Sequence, residues 1–222
     1  MAARYGHGGD VMVADLVVHR LAFALRVDEH FSREPLGEPV EVRLDTGEPA
    51  VDSLSGSARH SDGTYRWANL SDGLRRVTLR SASGRWVRWD PAPLDVVVPV
   101  PDQKTALVAE MWPTPLAAAP PGVSTIRGKL VGAGVAGLRV EIDGTGAPPT
   151  GRWTFADAQG ELMYLLPGGP WPMTAARLLD LTISIPGRTV AGVEVLPGPT
   201  SFTGAQFAIP PQREIRARFH VL

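Results

Sequence analysis

The chain has 222 residues, 44% of them hydrophobic, enough to bury one large core or two small ones. Its 22 basic and 23 acidic residues leave a net charge near −1, which excludes an electrostatic footprint for nucleic acid or an anionic membrane. The absence of cysteine excludes disulfides, thiolate metal ligands and a cysteine nucleophile, while 24 Gly and 21 Pro favour turns and strand ends over long helices.

The first residues, MAARYGHGGD, read as a Gly-rich arm (1–15) that is mobile in an isolated monomer. Asp10, Asp15, His19 and Arg20 interrupt any secretory apolar core, and no window approaches 18 apolar residues. A cytoplasmic location without membrane insertion is expected. Strand-like runs then follow in order: 14–27 (ADLVVHRLAFALRV), 39–44 (PVEVRL), 64–70 (TYRWANL), 75–81 (RRVTLRS), 85–89 (RWVRW) and 94–100 (LDVVVPV). The acidic pairs Asp28-Glu29 and Asp45/Glu48 fall on loops in this reading, as solvated charge. Residues 112–122, WPTPLAAAPPG, hold four prolines and a glycine that end sheet pairing, so the expected linker is 113–122, between domains 16–112 and 123–222. Beyond it come 124–131 (STIRGKLV), 138–142 (LRVEI), 152–156 (RWTFA), 161–166 (ELMYLL), 179–185 (LDLTISI), 192–196 (GVEVL) and 214–222 (EIRARFHVL). No segment carries a helical stripe; AARLLDL at 175–181 offers one turn at most.

The stretch HSDGTYRWANLSDG (60–73) holds a His, two aspartates and two large aromatics. Asp62-Gly63 is a turn dipeptide, and Gly73 closes a second turn after Asn69-Leu70. Between them Tyr65 and Trp67 share one strand face and are expected to fill the core. His60 and Asp62 alone make no metal shell, and the histidines His7, His19, His30, His60 and His220 are scattered, so no metal and no cofactor is expected. No phosphate loop, nucleophile elbow or zinc-protease motif occurs, and no catalytic residue is nominated. The tryptophans offer a different use. Trp86 and Trp89 flank Arg88 and point to opposite faces of a strand, so one of them is exposed; an exposed Trp beside Arg suits a protein interface or a sugar ring. Trp112 and Trp171 in Pro-rich loops invite the same reading, with Trp112 wedged between the domains.

The two halves resemble each other. LGEPVEVRL, HSDGTYRWANL and GLRRVTLRSASGRWV in the first half answer to VAGLRVEI, FADAQGELMYLL and LDLTISIPGRTV in the second, with Gly63 and Gly160 97 residues apart and Asp157 opening the second turn. Leu36, Gly37, Val40, Val42, Asp62, Gly63, Tyr65, Trp67, Leu70, Gly73, Val77 and Gly84 form a pattern that resembles the carboxypeptidase regulatory-like domain, a transthyretin-like β-sandwich. Val135, Gly137, Val140, Asp157, Gly160, Leu162, Gly168 and Gly187 repeat it more loosely. The resemblance implies an all-β fold of two tandem Ig-like or transthyretin-like antiparallel β-sandwiches joined by a Pro-rich linker. It is nearly silent on function. The hydrolase of 5-hydroxyisourate shares that topology but ends in Tyr-Arg-Gly-Ser, whereas this chain ends in Arg-Phe-His-Val-Leu, and no carboxypeptidase catalytic domain is present. The resemblance therefore implies a bacterial, non-enzymatic structural, adaptor or decorating subunit that binds protein partners, itself included. Chains of this kind are similar to accessory components of phage-tail-like contractile injection particles, which would be released from the cell. The alternative is a carbohydrate or cell-surface binding module; a transthyretin-like hydrolase is the third.

Overall fold

The computed structural model describes residues 20–45, 59–100, 105–197 and 200–222. The expected N-terminal arm and Glu48 lie outside them. The described residues form strands and turns without a helix. In the first half these are β1 (Leu21–Glu29), β2 (Glu41–Asp45), β3 (Thr64–Ala68), β4 (Gly73–Arg80), β5 (Trp86–Val87), β6 (Leu94–Val98) and β7 (Leu107–Pro113). The second half holds β8 (Thr125–Val131), β9 (Arg139–Gly144), β10 (Trp153–Phe155), β11 (Glu161–Leu165), β12 (Leu179–Ser184), β13 (Val190–Leu196), β14 (Thr200–Thr203), β15 (Gln206–Ile209) and β16 (Glu214–Val221). The all-β class read from the sequence is thus observed.

Each half contributes two sheets. The first has the orders β3-β1-β7-β5 and β2-β4-β6; the second has β11-β8-β16-β13-β14 and β10-β9-β12-β15. Without β10 and β14, the second pair repeats the first strand for strand. The turn before β3 repeats as well: His60 N–H donates to the Thr64 carbonyl and Gly63 N–H to that of His60, as Asp157 does to Glu161 and Gly160 to Asp157. Every partner is shifted by the 97 residues seen in the sequence.

Three expectations are corrected. The sheets are not wholly antiparallel, because β1 pairs with β7 and β8 with β16 in parallel. Parallel neighbours need a long crossover; here nearly a whole half intervenes, and hydrophobic alternation carries no strand direction. Asp28 and Glu29 are not solvated loop charges but the buried end of β1. Arg26 grips Asp28 through two hydrogen bonds of 2.8 and 2.7 Å, and Glu29 accepts the Phe31 and Ser32 amides, each at 2.7 Å, which fixes the turn that follows. Nor does pairing end before Pro113, which stands opposite Trp86.

Alternation builds the cores. Phe23, Leu25, Val27, Tyr65, Trp67, Val77, Val96, Val98, Ala109 and Met111 fill the first, with Phe23 and Trp67 stacked at 4.4 Å. Ile126, Leu130, Val140, Ile142, Tyr164, Leu181, Ile183, Phe207 and Phe219 fill the second. A phenol ties the sheets in each. Tyr65 Oη donates to the Val40 carbonyl (3.0 Å) and accepts its amide (3.1 Å), while Tyr164 Oη lies 2.9 Å from the Ile142 carbonyl and 3.0 Å from that of Arg152. At Gly160, φ is +78° and an added Cβ would sit 3.0 Å from the Leu130 carbonyl oxygen, so glycine is required there. The second cluster also takes in Phe31 and Trp112 from the first half.

Candidate functional site

The densest convergence of aromatic and charged side chains lies where the halves meet. Glu29 shapes a tight turn in which Arg33 adopts φ 61°, and that turn projects His30 and Phe31 toward the second half. Phe31, 2% exposed, meets Tyr164 edge-on at 4.8 Å. The end of β7 supplies Glu110 and Trp112, and the segment after β5 supplies Trp89. On the other side β10 offers Trp153 and Phe155. Trp112 stacks on His30 at 4.5 Å and lies 4.7 Å from Trp153, while Trp89 meets Trp153 at 5.2 Å and Phe155 at 4.9 Å, both edge-on. Arg139 covers the Trp153 ring at 4.7 Å as a cation–π partner.

β10 is an edge strand, and an edge leaves backbone groups in need of partners. Side chains of the first half supply them at Trp153. Its amide donates to His30 Nε2 at 3.4 Å, and its carbonyl accepts from Trp112 Nε1–H at 2.9 Å. On the far side of the imidazole, Nδ1 lies 2.7 Å from Glu110 Oε2. These partners assign the tautomer: Nδ1–H donates to the carboxylate and Nε2 keeps its lone pair for Trp153. Imidazole and carboxylate are close enough for an ion pair, but burial of the ring outweighs the pull of Glu110 and holds the His30 pKa below its ordinary value, with the Arg152 charge acting in the same direction. Arg152 is itself lowered by burial, and its Nη1 is a buried donor without a partner among the described residues. Burial likewise raises the Tyr164 phenol. The arrangement is a structural joint whose polar atoms are largely committed to one another.

The candidates read from the sequence are distributed as follows. Trp112 is buried in the joint and Trp89, 41% exposed, covers its rim. Trp86 packs on the first core. Arg88 turns inward on its own loop, donating to the Ala92 carbonyl, with its pKa lowered by burial. Trp171 packs on the second core away from the joint, its indole N–H on the Pro167 carbonyl at 2.9 Å, between shallow grooves of about 350 and 230 Å³. Asp62 accepts from the Thr64 hydroxyl (2.7 Å) and amide (3.1 Å), which hold its pKa down to about 2; Asp157 accepts the Gln159 and Glu161 amides, each at 2.8 Å. Gly63 and Gly160 supply the left-handed residues of those turns, and Gly73 opens β4 with φ 126°. His30, Phe31, Trp153 and Phe155 were not among the site candidates, because DEHFSRE looks like an ordinary polar turn and RWTFA like an ordinary strand. No group of three His, Asp or Glu among the described residues is placed to hold a metal ion.

The segment 113–122 is packed down. Thr114 donates its amide to Arg85 and its hydroxyl to Gly84, each at 2.8 Å, and Ala117 is buried in the second cluster. Arg127 of β8 donates to the Pro115 and Ala117 carbonyls while forking onto Glu214 at 2.7 and 3.2 Å. Away from the joint, Leu74 of β4 and Val97 of β6 face each other across the sheet and are 51% and 63% exposed.

No family model and no curated protein sequence matches the chain. Among solved structures it is similar to the Bacillus anthracis TIE protein (TM-score 0.30, 12% identity, 91% of this chain and 34% of that one). It is also similar to a streptococcal ancillary pilin (TM-score 0.29, 12% identity, 88% and 62%) and to BcpA, the major pilin subunit of Bacillus cereus (TM-score 0.29, 9% identity, 90% and 98%). The chain spans about a third of the first of these and less than two thirds of the second. Likenesses at this level carry no argument about activity.

Proposed function

We propose that the chain is a non-enzymatic structural or adaptor subunit that works through protein–protein contacts. The joint carries this reading: its concentrated chemistry, His30, Glu110, Arg152 and six large aromatics, is spent on holding two sandwiches together. A molecule built to keep two β modules in fixed relation suits a spacer or connector. The division into domains 16–112 and 123–222 belongs to the same proposal, with 113–122 as a clamped connector. Leu74 and Val97 supply an apolar outer pair for a protein partner, and the exposed part of Trp89 a second contact. Within this reading, a phage-tail-like contractile injection particle is the assembly to look for, and a cytoplasmic chain awaiting incorporation fits it.

A native pull-down of the tagged chain from its host, read by size-exclusion light scattering and mass spectrometry, tests the proposal. Co-elution with particle proteins at high mass is the expected result, lost in the doubly substituted Leu74→Ser, Val97→Ser chain. A clean monomer without protein partners contradicts it. One observation favours a second reading, carbohydrate binding: Trp171 stands beside grooves lined by Pro167, Gly168 and Gly169. That reading predicts tryptophan fluorescence that responds to a glycan.

A further inference from the structure

His30 sits at the centre of the joint with its side chain 5% exposed, and both ring nitrogens are in use. The two uses differ in kind. Nδ1–H donates to Glu110, whereas Nε2 is an acceptor toward a backbone N–H that cannot turn away without moving β10. A proton on Nε2 would set donor against donor and remove the contact. The Trp112 ring stacked on the imidazole makes the other backbone hydrogen bond to Trp153, so displacing one ring disturbs both.

The charged groups around the ring are Glu110 from β7, Glu29 from the end of β1, and Arg152 from the approach to β10. Arg33, from the turn of His30 itself, and the neutral phenol of Tyr164 act on Arg152 in turn. Of these charged groups Glu110 alone forms a hydrogen bond to the ring, and its side chain is 39% exposed, so its charge is partly screened. Arg152 opposes a second positive charge beside it.

We propose that the joint is an acid-releasable lock: protonation of His30 at Nε2 breaks its hold on Trp153, and the two halves, closed at neutral pH, separate as the medium acidifies. This goes beyond the assembly reading and does not depend on it. Release takes one proton from solution, which stays on Nε2, and no covalent bond changes. In the closed joint burial keeps the ring neutral, while in the opened joint the ring regains solvent and, beside Glu110 of its own half, titrates at its ordinary 6.5 or above. The opened state therefore takes up the proton first. The contribution of the lock is complete above the pKa of the opened ring, and the open fraction rises about tenfold per pH unit below that value until the buried ring itself is protonated.

The test uses the full chain without ligand. Small-angle scattering and the rate of proteolysis within 113–122 are followed from pH 8 to 5, with His30→Gln as the non-titrating comparison, since its amide oxygen can still accept from Trp153. The wild type should lengthen and its cleavage should accelerate about tenfold or more over the acid range, while His30→Gln stays flat. Should His30→Gln fail to fold, Glu110→Gln serves instead. Removing the carboxylate withdraws the support for a protonated ring, so release shifts to lower pH, a displacement that a merely structural role would not produce. No change in the wild type, an equal response in His30→Gln, or an unshifted response in Glu110→Gln overturns the proposal.

Discussion

A single phenol in each half spans the gap between its sheets. Tyr65 reaches the segment before β2, and Tyr164 reaches β9, the counterpart of β2. They are not equivalent in the repeat. Tyr65 stands two residues after Gly63 and Tyr164 four after Gly160; because strand side chains alternate, both positions face the core, and either can carry the hydroxyl across. Tyr65→Phe leaves both the amide and carbonyl of Val40 without a partner and should cost about 1–3 kcal/mol in urea unfolding. Tyr164→Phe should cost about 1–2 kcal/mol, since its loss orphans carbonyls alone. Equal stability of wild type and both variants would refute these roles. Tyr65 and Trp67 were legible in the sequence because alternation and turn chemistry agree on either side of them. His30 and Phe31 were not: their burial is decided by Trp112, Trp153 and Tyr164, far away in the chain, and DEHFSRE gives no local sign of it.

Among the strands, all but β7, β14 and β15 overlap a run expected from the sequence, the short β5 and β10 included. β1, β4, β8, β12 and β16 lie within or close to the expected runs, with turn residues marking their ends. β7 was missed because LVAEMWP runs into the Pro-rich stretch and reads as its beginning, yet it lies between β1 and β5 and buries Ala109 and Met111. β14 and β15 are four residues each between prolines and glycines, too short for a period to show. The segment 113–122 illustrates the limit from the other side: its prolines are plain in the composition, but its packing depends on residues elsewhere in the chain, above all Arg127 of β8. Arg127→Ala should destabilise the chain by about 2 kcal/mol and expose 113–122 to protease; Arg127→Lys should restore little, since an ammonium cannot fork onto Glu214 while holding two carbonyls. Unchanged protease resistance in Arg127→Ala would contradict this anchoring.

At the scale of the molecule, the described residues form two halves with separate sheets and one shared aromatic joint. The duplication was readable because Gly63 and Gly160 keep the same turn. The joint arises where the copies differ: β10, with Trp153 and Phe155, has no counterpart among the described residues of the first half. Phe31 belongs by sequence to one half and by packing to the core of the other. Phe31→Ala and Trp112→Ala should each cost about 3–5 kcal/mol, felt mainly as lost coupling between the halves. Differential scanning calorimetry at neutral pH on the wild type and these two variants tests the coupling most directly. One transition with equal calorimetric and van't Hoff enthalpies in the wild type, splitting into two in each variant, is the predicted result. Two independent transitions in the wild type, unmoved by either substitution, would show that the joint does not bind the halves into one unit.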